Sequence, residues 1–283
     1  MVAVNYGRVR EVALLLAPLR DHLYGLLRRD PQYSAVKVLV DSRGLNTATL
    51  LVVSNSLISY QLSIPGEAYW TAFADFFSKK GDEISPGLFR EFLIYVKCTR
   101  LLDRKIERIE RFLRSSVASK LLHDGLLYCN DVKRLLTELS LAMGSRGLSK
   151  TLLFAVKMYS YVCDVVGIKP SYNLPIPPDY RNALLALTSC IVVDCVGKRI
   201  KECAVELTKP SYAKWVQEAW STVCAHANIP CLLLDVFTWL FAGKAVEARF
   251  NPTKAVALFK EEYGVSVPQE VARVLLECVE KHV

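Results

Sequence analysis

Apolar residues recur at intervals of three and four along nearly the whole chain, and Gly, Pro, Asn and Ser cut that pattern into short pieces. A period near 3.6 gathers apolar side chains on one face of a helix, whereas a strand needs alternation, so the chain is expected to be all-α. The spacing predicts helices over 9–28 with a break at Pro18, then over 31–42, 47–61, 67–79, 86–97 and 101–114. Further helices are expected over 131–143, 150–166, 180–195, 210–227, 230–241, 252–263 and 268–281. Several of these open with Pro at the first helical position, where its missing N–H is no loss.

A chain of 283 residues, 52% of them hydrophobic, can bury a large core without covalent staples, in one large domain or two lobes. Its longest apolar run, between Asn182 and Asp194, is far shorter than the roughly 20 residues that cross a bilayer. The N-terminus also lacks the layout of a signal peptide, so a soluble, cytoplasmic protein without membrane contact is expected. The formal charge of +8 has the sign that suits a polyanionic partner.

Nine cysteines are present: Cys98, Cys129, Cys163, Cys190, Cys195, Cys203, Cys224, Cys231 and Cys278. Their spacings match neither a paired zinc motif nor a four-cysteine iron–sulfur pattern, so most are expected to be small buried hydrophobes, with a structural disulfide left open. His22, His123, His226 and His282 are scattered without partner spacing, so no metal is expected. The chain contains no phosphate-binding G-x-x-x-x-G-K-[ST] loop, no nucleophile elbow and no internal repeat.

One stretch, 141–158, carries chemistry. A helix is expected to end at Gly144, a turn containing Arg146 and Gly147 follows, and a second helix begins at Ser149, with Lys150 on its first turn. The positive end of a helix dipole disfavours an ammonium there, and orphan backbone N–H groups in such a turn suit a phosphate. Gly144, Arg146, Gly147 and Ser149 are therefore candidate contacts to a nucleic-acid backbone. Lys150, Phe154 and Lys157 fall on one helical face, a poor core stripe, although a solvated first-turn lysine would read the same way.

Between 168 and 179, four prolines should hold an extended segment that delivers Asp179 to the start of the next helix. An Asp in that place is most often an N-cap worth about 1 kcal/mol. Asp235 and Trp239 lie one turn apart in an otherwise apolar stretch, where a lone carboxylate needs a donor, from a neighbouring helix or from a ligand. Trp70 sits in an aromatic-rich helix. Arg104, Arg108 and Arg111 share one face, and Lys198, Arg199 and Lys201 form a second basic cluster; either is a solvated face or a phosphate contact.

The segments Gly147-Leu-Ser-Lys150-Thr-Leu-Leu-Phe154-Ala-Val-Lys157 and Leu-Pro-Ile-Pro-Pro-Asp179-Tyr-Arg resemble the archaeal 8-oxoguanine DNA glycosylases (AGOG) of the helix-hairpin-helix superfamily. The resemblance extends to Arg-Arg-Asp-Pro-Gln32-Tyr, Ser-Leu-Ile-Ser59-Tyr, Gly-Glu-Ala-Tyr-Trp70 and Leu-Asp235-Val-Phe-Thr-Trp239-Leu. Six motifs in the family's order cover most of the chain from about residue 28 to 243. The resemblance implies a helix-hairpin-helix fold with two lobes flanking a cleft, approximately 45–170 and 1–44 plus 171–283, with the hairpin 141–158 at the cleft. It implies a cofactor-free enzyme, expected to act as a monomer, that removes 8-oxoguanine from DNA and nicks the strand. Lys150 would then be the nucleophile and Asp179 its carboxylate partner. Phe154 and Trp239 would stack on the extruded base, and Gln32, Ser59, Trp70, Lys157 and Asp235 would line its pocket. Asn173 and Pro178 depart from the residues usual near the aspartate. A glycosylase for another lesion, or a non-catalytic DNA-binding hairpin protein, are the alternative readings.

Overall fold

The computed structural model describes residues 2–81, 83–145, 149–170, 174–193 and 199–282. In chain order the elements are β1 (Ala3–Val4), α1 (Tyr6–Leu16), a 3-10 turn (Ala17–Leu19), α2 (Arg20–Leu27), α3 (Pro31–Arg43), α4 (Leu45–Ile58), α5 (Gly66–Phe77), α6 (Pro86–Tyr95), α7 (Leu102–Leu113) and α8 (Ser116–His123). They continue with α9 (Val132–Ala142), α10 (Lys150–Val165), α11 (Tyr180–Thr188), β2 (Val192–Val193), α12 (Ile200–Leu207), α13 (Ala213–Ala227), α14 (Cys231–Glu247), α15 (Pro252–Tyr263), α16 (Gln269–Leu276) and a closing 3-10 turn (Glu277–His282). The fold is all-α, as the periodicity requires, and β1 and β2 form a single antiparallel pair.

The chain divides into two compact units, Pro31–Tyr172 and Met1–Asp30 with Asn173–Val283. Within the first, α10 packs against α4, α3 and α9, and α3 also packs on α5. Helix α4 is buried from Ala48 to Ile58, which takes in the polar Thr49, Ser54, Asn55 and Ser56. Within the second, α11 packs against α12, α13 and α14, and α14 against α2 and α15.

Three features of the helix pattern differ from the sequence-based expectation. The helix expected over 180–195 stops at Thr188, because Cys190 takes φ +60° and the β-branched Val192 and Val193 pair with Val4 and Ala3 instead. Helices α8 and α12 were not expected: α8 offers only two turns, capped by Ser115 Oγ accepting from the Ala118 N–H at 3.3 Å. Finally, α14 runs past Phe241 and through Gly243 to Glu247. A Cβ on Gly243 would stand 3.2 Å from Arg181 Cζ, so this glycine gives a neighbouring guanidinium room rather than ending the helix.

The cysteine expectation is corrected as well. Cys129–Cys163, Cys190–Cys278 and Cys224–Cys231 are disulfides with Cα separations of 5.7, 5.8 and 5.5 Å, Cys203 is disulfide-bonded too, and Cys98 is a buried free thiol. Cys195 lies outside the described residues. Helix packing, which no spacing rule encodes, brings together cysteines 34 and 88 positions apart. The Cys129–Cys163 bond joins the residue two places before the α9 cap to the last turns of α10, so it closes the hairpin at the end opposite Lys150. Loop-closure entropy for 34 residues corresponds to about 4 kcal/mol. Replacing both cysteines by Ser is expected to lower the unfolding free energy by about 3–4 kcal/mol, read as a lower urea midpoint, with a somewhat steeper slope because the unfolded chain expands.

Candidate active site

Helix α9 ends in a Schellman motif: Gly144 takes φ +59°, its N–H bonds the Leu141 carbonyl at 3.2 Å, and the Ser145 N–H reaches the Ser140 carbonyl at 3.0 Å. Glycine tolerates this left-handed backbone, so the first hairpin helix stops where the sequence suggests. Arg146 and Gly147 lie outside the described residues. Ser149 is the N-cap residue of α10, yet its hydroxyl makes no capping bond and lies 3.0 Å from Thr151 Oγ1 instead. Arg108 Nη2 donates to the same Thr151 Oγ1 at 3.0 Å.

Along the face of α10 exposure falls steadily: Lys150 is exposed, Phe154 half-buried, and Lys157 only 2% exposed. The buried Lys157 Nζ stands 5.7 Å from the centre of the Tyr161 ring, whose π face offsets part of its desolvation. Trp70 on α5 is fully buried and meets Phe154 edge-on, with ring centroids 6.0 Å apart. Its indole Nε1 is a buried donor with no hydrogen-bond partner among the described residues. Gln32, on the first turn of α3, is 2% exposed. Ser59, half-buried at the end of α4, donates to the Asn55 carbonyl at 2.8 Å. Six candidates (Lys150, Phe154, Lys157, Trp70, Gln32 and Ser59) thus belong to the unit Pro31–Tyr172.

Asp179, Asp235 and Trp239 belong to the other unit. Asp179 is the N-cap of α11, its Oδ1 accepting from the Asn182 N–H at 2.9 Å. The proline segment is tied to the same place, because the Pro177 carbonyl accepts from the Asp179 N–H at 2.8 Å and from Asn182 Nδ2 at 3.1 Å. Pro178 is buried, and Asn173 lies outside the described residues. Asp235, 1% exposed on α14, accepts from Asn182 Nδ2 at 2.6 Å, and Thr238 Oγ1 donates to Asn182 Oδ1 at 2.7 Å. Trp239, 9% exposed, carries the Arg181 guanidinium 4.1 Å above its ring.

Two residues that the sequence reading passed over therefore organise this unit. Asn182 is fully buried and joins the N-terminus of α11, the proline segment and Asp235; Trp220 Nε1 adds a bond to its carbonyl at 3.0 Å. Its signal is a polar residue on the first turn of an otherwise apolar helix, which passes for ordinary cap chemistry until a partner is known. Arg181 covers one face of Trp239 in the space that Gly243 leaves open. Of the two basic clusters, Arg199 pairs with Glu202 at 2.9 Å while Lys198 lies outside the described residues.

The family described as AGOG, N-glycosylase/DNA lyase, matches residues 15–274. An N-glycosylase/DNA lyase of Pyrobaculum aerophilum is 34% identical over 259 residues, covering 88% of this chain and 93% of that protein. Another, of Methanococcus maripaludis, is 30% identical over 223 residues, covering 76% and 79%. The crystal structure of 8-oxoguanosine-complexed Pa-AGOG, the 8-oxoguanine DNA glycosylase from Pyrobaculum aerophilum, is similar in fold. Its TM-score is 0.73 at 26% identity, over 90% of this chain and 97% of that one.

Asn182→Ala deletes the amide that bonds Asp235, Thr238 and Pro177, and is expected to lower stability by about 3 kcal/mol, measured by urea denaturation.

Proposed function

The chain belongs to the AGOG family of N-glycosylase/DNA lyases, and we propose that it excises 8-oxoguanine through Lys150 and then cleaves the strand. The observation that carries this reading is the face of α10: an exposed amine on the first turn, a half-buried aromatic one turn later, and a buried lysine beyond it. An amine in that setting meets an extruded sugar while its helix continues as a wall for the base.

A base within a duplex is out of reach, so the nucleotide is extruded at an unstacking cost of a few kcal/mol. Stacking on Phe154 and Trp239 returns about 1–3 kcal/mol per aromatic contact. The lesion differs from guanine by a hydrogen on N7 and an oxygen on C8. An acceptor placed for that N–H is left unpaired when guanine enters, which makes discrimination large. Gln32 and Asp235 supply acceptors, and the Trp70 indole N–H and Lys157 supply donors. Ser59 completes the polar lining.

The Lys150 nitrogen, as the neutral amine, bonds to C1′ while the bond from C1′ to the base breaks and the base leaves with the electron pair. Opening of the sugar ring gives an iminium. Loss of a proton from C2′ then expels the 3′ phosphate by β-elimination. Asp179 stabilises the positive charge at the sugar and takes the amine proton. The hairpin residues Gly144, Arg146, Gly147 and Ser149 hold the flanking backbone. We read the enzyme as a monomer working on DNA in the cytoplasm.

Lys150→Gln is expected to abolish borohydride trapping on an 8-oxoguanine duplex while duplex binding persists; a trapped band from that variant would place the nucleophile elsewhere. Asn caps a helix about as well as Asp, so Asp179→Asn keeps the start of α11. Single-turnover base release should nevertheless slow by at least about 100-fold, the scale of a lost general base. Release at the parent rate would leave Asp179 as a cap alone. A panel of lesion duplexes tests the base, and faster excision of an oxidised pyrimidine or a mispaired adenine would replace 8-oxoguanine as substrate.

A further inference from the structure

Helix α7 buries Ile106, Ile109 and Phe112 and carries Arg104, Arg108 and Arg111 on another side, with Arg114 as its C-cap residue. Elsewhere in the chain some arginines find carboxylates, Arg90 pairing with Asp103 at 2.8 Å and Arg134 with Glu138 at 2.9 Å, whereas others, such as Arg10 and Arg20, form no ion pair among the described residues. Among the described residues, none of the four α7 arginines forms an ion pair, although Glu107 and Glu110 stand one turn away on the same helix. Four arginines stand against two glutamates here, so the ridge keeps an excess of positive charge that an arriving anion offsets.

The ridge is also fastened to the hairpin. Arg108 Nη2 holds Thr151, the residue after Lys150, while its Nε is a buried donor with no partner among the described residues. Arg111 Nη1 donates to the Met143 carbonyl at 3.3 Å, at the end of α9. Burial lowers the Arg108 pKa, Tyr60 opposes that, and the charge of Arg111 adds to the lowering. Burial raises the Tyr60 phenol in turn, against the pull of Arg108 and Arg104, so the cations are close enough to act on one another's surroundings. Past Arg111 the ridge opens into a cavity of about 570 Å³ lined by Arg111, Arg114, Ser116, Lys120 and Leu141. Glu138 lines the same cavity and is shared between Lys120 at 2.8 Å and Arg134 at 2.9 Å, so the charge beside Arg111 and Arg114 stays positive.

We propose that Arg104, Arg108, Arg111 and Arg114 form a track that grips the phosphates of one DNA strand beside the hairpin and leads it into this cavity. At ~1.5 Å per helical residue the track spans about 15 Å. Its arginines recur about once per helical turn of ~5.4 Å, so several successive phosphates of one strand can be met along it. The assignment rests on the chain being a DNA glycosylase, and it adds a strand-binding surface outside the hairpin turn.

The test is the salt dependence of binding to an undamaged duplex, followed by fluorescence anisotropy from about 50 to 200 mM salt. The triple variant Arg104→Gln, Arg111→Gln, Arg114→Gln should make the slope of log K against log salt shallower by about two to three, and weaken binding at the lowest salt by more than about tenfold. Lesion and undamaged duplexes should lose affinity alike, because phosphate contacts carry no base information. The matching Arg→Lys triple should restore most of the slope. Arg111 also touches the hairpin, so the exposed pair Arg104→Gln, Arg114→Gln, with the parent's melting curve, must on its own remove about two from the slope. A folded variant with the parent slope, or a loss confined to the lesion duplex, overturns the track. The two readings fail separately: borohydride trapping by Lys150→Gln overturns the nucleophile, while the slope is read on variants that keep Lys150, so the track stands or falls without it. A parent protein without salt-dependent duplex binding overturns the track.

Discussion

The packing of α10 against α4 governs the unit that carries Lys150. Helix α4 is buried almost throughout, so it has no solvent side to turn toward water. Several of its polar side chains bond backwards along the helix, as Ser56 Oγ does to the Val52 carbonyl at 2.6 Å and Ser59 Oγ to the Asn55 carbonyl at 2.8 Å, while Asn55 Oδ1 accepts from the Tyr69 hydroxyl at 2.7 Å. With that wall in place, α10 is buried from Leu152 to Cys163 except at Phe154, and its chemistry is confined to the first turn and one face. The stub of the helix is held by side chains, Arg108 to Thr151 and Thr151 to Ser149, in place of a backbone cap. A capping hydroxyl would occupy one of the N–H groups that a phosphate at this end needs.

The fold class was legible because periodicity is a local signal, and so were the breaks at Pro18 and Gly144, where the backbone of one residue decides the outcome. Local signals failed where a distant partner decides. Gly243 reads as a stop and is a helical residue beneath Arg181; residues 189–193 read as helix and are drawn into pairing with β1. The pattern Ile200, Cys203, Ala204, Leu207 has helical spacing and was obscured by the charges before it. The cysteines fail in the same way, since a disulfide between positions 190 and 278 exists only after α11 and the closing turn have packed. Of the candidate site, the sequence carried the residue types on α10 and the cap position of Asp179. The joint at Asn182 was hidden, because an amide reveals nothing of its partners from one dimension.

That joint changes how Asp179 is understood. A cap and a catalytic group are usually weighed as alternatives, yet the cap bond from the Asn182 N–H fixes where the carboxylate stands, and the Asn182 side chain fixes Asp235 with the same rigidity. One buried residue thereby sets the positions of two carboxylates on different helices. Buried networks of this kind specify geometry more than they add stability, because each bond replaces one that water would have made. Placing carboxylates in this manner suits chemistry in which a displacement of 1 Å lowers the rate by orders of magnitude.

The remaining polar groups obey a different economy. The Trp70 indole N–H is buried without a partner among the described residues, a state that disfavours the empty protein by about 1–3 kcal/mol. A fold under selection for stability alone would fill that place with Phe, and α5 already carries Phe73, Phe76 and Phe77 nearby. The indole stands in an aromatic cluster, edge-on to Phe154, where the proposed function places a ligand that supplies an acceptor. On the proposed reading that acceptor lies on the extruded base. The cost carried by the empty site is then returned only when a base with the right edge arrives, and about 1.4 kcal/mol of it corresponds to a tenfold preference. On that reading, selectivity is held in the free protein before any DNA is bound, in the Trp70 donor that has no partner among the described residues, rather than assembled by the substrate.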